Sequence, residues 1–263
     1  MRVASRRLPR PVAQVARVAL DWLLGFRGFN EIYRRLPACD AAGFPRAYLD
    51  AIKVDVTHDG EALESIPVTG PLIVIANHPM GLVEGLALDA LLLTVRRDVA
   101  VMMVHQLAAV PECAARHVFV DPSGRRSRRH LSRRGWREAF ARVARGGVLI
   151  VFPAGEAAAF EWRRMAVVEQ PWSRHIAALA RRTGAAVLPV FVQGRNSVGY
   201  HLACSICPPL KNVLAVRELS NKRGRTLRLT VGRTIPVEEL RRFSDDEGAT
   251  AYLRQQTGVP ARK

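Results

Sequence analysis

The stretch Leu72-Ile73-Val74-Ile75-Ala76-Asn77-His78-Pro79-Met80-Gly81-Leu82-Val83-Glu84-Gly85 joins an unbroken aliphatic run to a polar loop punctuated by proline and glycine, after which an apolar helical pattern begins. An aliphatic run this short reads as a strand buried on both faces, the kind found in parallel sheets covered by helices. In such folds the carboxyl end of a strand, opening into a loop before a helix, displays the reactive groups. His78 stands at that point.

Working outward, β-rich runs alternate with helical ones. Strands are predicted at Lys53–Thr57, Leu72–Asn77, Val99–Val104, His117–Val120, Val148–Phe152, Ala186–Val192 and Leu227–Val231. Helices are predicted at Gly85–Val95, Ser127–Arg145 and Trp172–Arg182, with two short polar ones between Val237 and Thr257. This alternation predicts an α/β fold with a mostly parallel central sheet flanked by helices. Gly146-Gly147 and Gly184 stop helices just before apolar strands, as αβ connections require. No repeat or low-complexity linker divides the chain, and 263 residues with 49% hydrophobic content suffice for one large core. The expected organisation is therefore a set of basic amphipathic N-terminal helices over 1–45 and one α/β domain over 46–263.

The formal charge is +17, from 40 Lys and Arg against 23 Asp and Glu. Arginine predominates, and its guanidinium pairs bidentately with phosphate or carboxylate. Partners should be anionic: nucleic acid, an anionic membrane surface, or acidic small molecules and carrier proteins. No apolar run reaches the roughly 18 residues of a membrane-spanning helix, and the N-terminus lacks the pattern of a secretory signal. Residues 1–36 instead interleave Arg2, Arg6, Arg7, Arg10 and Arg17 with Val12, Val15, Val18, Trp22 and Leu23. Such a segment suits a helix in the bilayer interface, and equally one docked on the core. Four cysteines are too few for a disulfide framework and point to a reducing compartment, the cytosol. Cys204-Ser-Ile-Cys207 lacks the second pair of a zinc ribbon, and the histidines other than His78 show no ligand spacing, so neither metal nor cofactor is expected.

Two features give His78 chemical meaning. Glu84 is the nearest carboxylate able to fold back onto it, hold one tautomer and stabilise the imidazolium. A second buried strand, Val148-Leu149-Ile150-Val151, ends in Phe152-Pro153-Ala154-Gly155-Glu156, so two strands end in Gly/Pro loops that each carry an ionisable group. Pro189, near the middle of a third strand, suggests a sheet edge or the approach of a ligand.

These blocks resemble the glycerolipid acyltransferases, typified by bacterial lysophosphatidate acyltransferase. Asn77-His78 with a following carboxylate, Phe152-Pro153-Ala154-Gly155 and Leu188-Pro189-Val190 occur in the family's order over about half the chain, Pro71 to Ser197. Glu84 comes one residue later than the usual carboxylate, Glu156 lies beyond Gly155 where the family carries Glu before it, and Asp121-Pro122 stands where the second block usually ends in arginine. The Asn-His-Pro-x-Gly, Val-Asp-Pro, Phe-Pro-Ala-Gly-Glu and Gly-Arg-Asn-Ser blocks resemble the subgroup that completes ornithine lipids and the proteins called hemolysin-like.

The resemblance implies an O-acyltransferase in which His78 deprotonates the hydroxyl of a lysolipid (lysophosphatidate, lysophospholipid or lyso-ornithine lipid). That hydroxyl then attacks the thioester of an acyl carrier protein or coenzyme A adduct, and Glu84 orients His78. Backbone amides in the glycine-containing loops are the oxyanion candidates, and Gly81 and Gly155 of those loops are candidate substrate-binding residues. Asn77, Asp121, Arg125, Phe152, Pro153, Glu156, Pro189, Arg195 and Asn196 are the candidate substrate-binding residues, with Arg126, Arg163 and Arg164 as further head-group ligands. The implied location is peripheral, on the cytoplasmic face of the inner membrane. The rival without catalysis is a basic protein binding nucleic acid or anionic membrane, motivated by the run from Arg125 to Arg134. No aromatic residue interleaves that run before Trp136, so no nucleic acid is expected as a partner. A serine-hydrolase elbow, Gly-x-Ser-x-Gly, is absent.

Overall fold

The computed structural model describes residues 26–58, 63–64, 66–121 and 126–258. The basic segment 1–25 and Arg125 lie outside the described residues. In chain order the elements are α1 (Phe26–Arg34), α2 (Phe44–Ala51), β1 (Asp55–His58), β2 (Leu72–Ala76), α3 (Val83–Leu92), β3 (Val99–Val104), α4 (Pro111–Arg116) and β4 (Val118–Val120). These are followed by α5 (Arg129–Ala144), β5 (Val148–Val151), β6 (Ala159–Glu161), β7 (Ala166–Val168), α6 (His175–Thr183) and β8 (Ala186–Gln193). The chain continues with α7 (Val198–Ile206), α8 (Lys211–Asn221), β9 (Thr226–Val231), α9 (Val237–Arg241) and α10 (Asp246–Gln256). No described helix is long and apolar enough to cross a membrane.

Seven strands form one sheet in the order β1-β9-β8-β2-β5-β3-β4, parallel at every pairing except β8 with β9. β2 is central, hydrogen-bonded to β5 on one side and β8 on the other. Its alternate residues enter opposite cores, which is why its sequence is aliphatic without interruption. Leu72, Val74 and Ala76 join a cluster containing Val83, Leu88 and Leu92 of α3 and Tyr48 and Leu49 of α2. Ile73 and Ile75 join Ala139 of α5, Ile176 of α6 and Leu253 of α10 on the other face. From α1, Phe29, Ile32 and Tyr33 also pack on the first cluster, so the face they present is turned to the core.

The predicted α/β architecture is the observed one, with corrections of detail. Pro189 lies in an interior strand, β8, and marks no edge. It stands where the isolated Val187–Ile235 bridge gives way to the β9 ladder, which begins at Val190, so a missing N–H costs little there. Helices α7 and α8 and the β6–β7 hairpin escape sequence reading. Cys207-Pro208-Pro209 breaks the periodicity between the two helices, and the hairpin turns through Met165 at φ 48°, with no glycine to mark it.

Helix α5 approaches β4 closely enough that a Cβ on Gly135 would overlap the Phe119 carbonyl oxygen and come within 2.7 Å of Val120 Cγ1. Backbone cannot yield as a flexible side chain can. Gly135→Ala is expected to destabilise the fold by about 1–3 kcal/mol despite alanine's higher helix propensity, seen as a lower midpoint in urea unfolding.

Candidate active site

Beyond β2 the chain stays pinned. Asn77 extends the β2–β8 ladder with its side chain: Oδ1 accepts from the Val192 amide at 2.6 Å and Nδ2 donates to the Val192 carbonyl at 2.9 Å. The His78 amide donates to Glu169 Oε1 at 3.2 Å, and its carbonyl accepts from the Ala158 amide at 2.8 Å. Its ring stacks on Phe152, the residue after β5, with centroids 4.3 Å apart and 22° between planes. Asn196 donates from Nδ2 to the Met80 carbonyl at 2.9 Å, tying the far side of the loop to the segment after β8.

Glu84, in the first turn of α3, has no exposed surface. Its Oε1 lies 3.1 Å from His78 Nδ1 and accepts from the Met80 and Gly81 amides at 2.8 and 2.7 Å. Gly81 takes φ +105°, which lets the loop double back so that these amides face the carboxylate. Burial pushes the Glu84 carboxyl up, but the bond and charge of His78 and the Gly81 amide outweigh it and hold the group below the usual range. An ionised carboxylate only accepts, so Nδ1 carries the proton and Nε2 keeps its lone pair. The imidazole is thus a base aimed away from Glu84, 12% exposed.

His78, Gly81, Phe152 and Gly155 line a cavity whose walls are otherwise almost wholly apolar, including Leu82, Leu86, Val101, Met103, Leu107 and Val120. The arrangement puts one oriented imidazole in the wall of an apolar cavity. Among the described residues no three His, Cys, Asp or Glu side chains converge as metal ligands.

The candidates from the sequence fall into three groups. His78, Glu84, Asn77, Gly81, Phe152, Gly155 and Asn196 come together; Asn77 and Asn196 are buried and spend the bonds described here on holding the loops. The amides of Gly81 and Gly155 are not free to hold an oxyanion, because the first donates to Glu84 and the second to the Phe152 carbonyl at 2.9 Å, each closing its own tight turn. Pro153 is buried and accepts from the Ser173 amide at 3.0 Å, Pro189 lies in the sheet, and Glu156 pairs with Lys211 at 3.0 Å. Arg195 is exposed, its carbonyl receiving Lys222 Nζ. Arg163 and Arg164 lie exposed in the β6–β7 turn, and Arg126 is exposed before α5. Asp121, at the end of β4, is tied through its backbone to Ser132 Oγ.

Two residues that sequence reading passed over belong to the site. Glu169 Oε1 accepts from Trp172 Nε1 at 3.0 Å as well as from the His78 amide, and burial raises its carboxyl. No spacing announces them, since they lie 91 and 94 residues from His78, beyond a hairpin.

A family model described as "Acyltransferase" matches residues 2–258. The chain belongs to the acyltransferase family. It is 26% identical over 205 residues to the lyso-glycine lipid O-acyltransferase of Phocaeicola vulgatus, a match covering 72% of this chain and 66%, just under two thirds, of that one. Its fold is similar to the crystal structure of the 1-acyl-sn-glycerophosphate (LPA) acyltransferase PlsC from Thermotoga maritima, with TM-score 0.55, 18% identity, and coverage of 97% of this chain and 100% of that one.

Asp89, another carboxylate of α3 and in principle a second partner for His78, belongs to a separate buried cluster in this family member. It pairs with Arg116 and lies 3.4 Å from His117 Nε2, while His117 Nδ1 accepts from the Val101 amide at 3.1 Å. Burial lifts Asp89 to about 6 against the pull of Arg116, and burial with the neighbouring Arg116 charge lowers His117 to about 3. Native His117 resists protonation, so its contribution to stability falls as pH drops below about 6.5. Native Asp89 binds its proton early, so its contribution rises as pH drops from about 6 to 4. His117→Gln removes only the first effect. Its stability deficit relative to the parent, measured by urea unfolding at several pH values, should shrink steadily between pH 6.5 and 4; a constant deficit contradicts the assignment.

Proposed function

We propose that this chain transfers a fatty acyl group from an acyl thioester to the hydroxyl of a lysolipid, with His78 as general base and Glu84 as its orienting carboxylate. The observation that carries this is the Nδ1-tethered imidazole of His78, held by a buried carboxylate in the wall of an apolar cavity. A fatty chain in that cavity brings its thioester carbonyl to the imidazole, where the second substrate's hydroxyl reaches Nε2. His78 takes the hydroxyl proton as the oxygen attacks the carbonyl carbon, forming a tetrahedral intermediate. Collapse of that intermediate breaks the carbon–sulfur bond, and the proton on Nε2 passes to the departing sulfur. The ester and a free thiol result, with no acyl-enzyme. Ionised Glu84 stabilises the imidazolium between the two transfers.

Proton transfer of this kind supplies about 10²- to 10⁴-fold, so holding both substrates in line must contribute the remainder. The donor is a carrier-protein or coenzyme A thioester. For the acceptor we favour a lysolipid with an amino-acid head group, of the ornithine- or glycine-lipid kind. The relative's name supports this, as does Pro122, which stands where the resemblance expects the arginine that ends the second block. The chain is proposed to act peripherally at the cytoplasmic face of the membrane, where such an acceptor resides.

With a labelled acyl thioester and lysolipid, His78→Ala should lose at least about 10²-fold in kcat while keeping its unfolding midpoint. Unchanged turnover in the folded variant sinks the mechanism. Glu84→Gln keeps an acceptor for the Met80 and Gly81 amides but removes the charge that steadies the imidazolium. It should lower kcat by about 10²- to 10⁴-fold with little change in KM.

A further inference from the structure

Helix α5 carries Arg129, Arg133 and Arg137 at i, i+4 and i+8, so all three project from one face. With Asp121, Ser132, Trp136 and His175 they line a recess beside the carboxyl end of β4. Arg126 and Arg134 are exposed close by, and none of these five guanidinium groups forms an ion pair among the described residues. Like charges at i, i+4 spacing weaken a helix, so the fold gains nothing from this row. The opposite face of α5 is accounted for: Gly135, Ala139 and Val143 are buried against the sheet. What remains outward is a row of arginines in excess over the acidic residues near it, Asp121 in the recess and Glu138 on the helix.

Position narrows the anion's identity. Consecutive residues of the chain line the two recesses, Val120 the apolar cavity of His78 and Asp121 the basic one. From β2 to β4 the sheet steps through β5 and β3, three spacings or about 14 Å. A phosphopantetheine arm, about four peptide residues long from phosphate to sulfur, extends about 14 Å. The strand that leads into His78 and the strand that leads into Asp121 are thus about one arm's length apart across the sheet. The arginine row from Arg126 to Arg137 runs about 17 Å, more than one phosphate needs and about the length of a short acidic helix. A membrane-facing helix would offer a continuous apolar stripe, whereas Phe140 is the only exposed large hydrophobic residue of α5.

Resting on the acyl transfer proposed above, we infer that the arginine face of α5 docks an acidic carrier protein that presents the acyl thioester on its phosphopantetheine arm. Arginine forks pair with the carrier's carboxylates and arm phosphate, and contact is weakened by salt.

The test is the full chain carrying Arg129→Glu, Arg133→Glu and Arg137→Glu, compared with the parent at low salt. With acyl carrier protein as donor, KM should rise at least tenfold with kcat retained, and direct titration of the carrier should show binding weakened to the same degree. Turnover of a small acyl N-acetylcysteamine thioester should change less than threefold, and KM for acyl coenzyme A, which shares only the arm's phosphate, should rise clearly less than KM for the carrier. Unchanged carrier KM and binding overturn the proposal. So does an equal rise in KM for coenzyme A, which would assign the face to the arm's phosphate alone, or loss of binding to anionic phosphatidylglycerol vesicles with carrier affinity intact. Small-thioester turnover by the parent, abolished in His78→Ala, checks the acyl-transfer mechanism separately from the docking surface.

Discussion

Everything at the site depends on one buried carboxylate. Glu84 Oε1 collects Nδ1 of His78 and the amides of Met80 and Gly81, so a single oxygen sets the ring's tautomer and folds the loop that carries the ring. Full burial makes the charged form costly, and the three donors together with the positive end of α3 offset that cost. Because the donors are backbone groups and an imidazole, the clamp has only one satisfactory geometry. That is how a fold built for packing comes to hold a base in a fixed orientation.

Around that clamp the sheet supplies rigidity. β2 sits among parallel neighbours, Asn77 lengthens its pairing with β8 by one side chain, and Phe152 at the end of β5 stacks on the imidazole. Glu169 and Trp172 hold the His78 backbone from behind. The two faces of the sheet end in different surroundings. On the α3 side an apolar cavity reaches from His78 into the core, while on the α5 side the ends of the strands meet arginines. The ends of the strands thus separate an apolar cavity on one face of the sheet from a basic recess on the other.

Much of this is legible in the residues. The aliphatic runs at 72–76 and 148–151 could only be strands covered on both faces, and helices stopped by Gly146-Gly147 and Gly184 place the crossovers. His78 and Glu84 are six residues apart on a strand–loop–helix turn, near enough for local chemistry to pair them. Less legible was the work of the neighbouring side chains. Asn77 and Asn196 tie the loops together through their side-chain amides, and the Met80, Gly81 and Gly155 amides are taken up within their own turns, because most buried polar groups find partners and the nearest ones are in the loops themselves.

The sequence by itself determined the parallel α/β architecture, the place of His78 at a strand end and the carboxylate that partners it, because each depends on hydrophobic period or on residues within one turn of chain. Only the tertiary structure decided that Glu169 and Trp172 stand behind His78 and that Asp89 belongs with Arg116 and His117. It also decided that the apolar cavity and the arginine recess adjoin at Val120 and Asp121. Those contacts join residues that are distant in the chain. Their distances follow from strand order and helix packing, which no local pattern encodes.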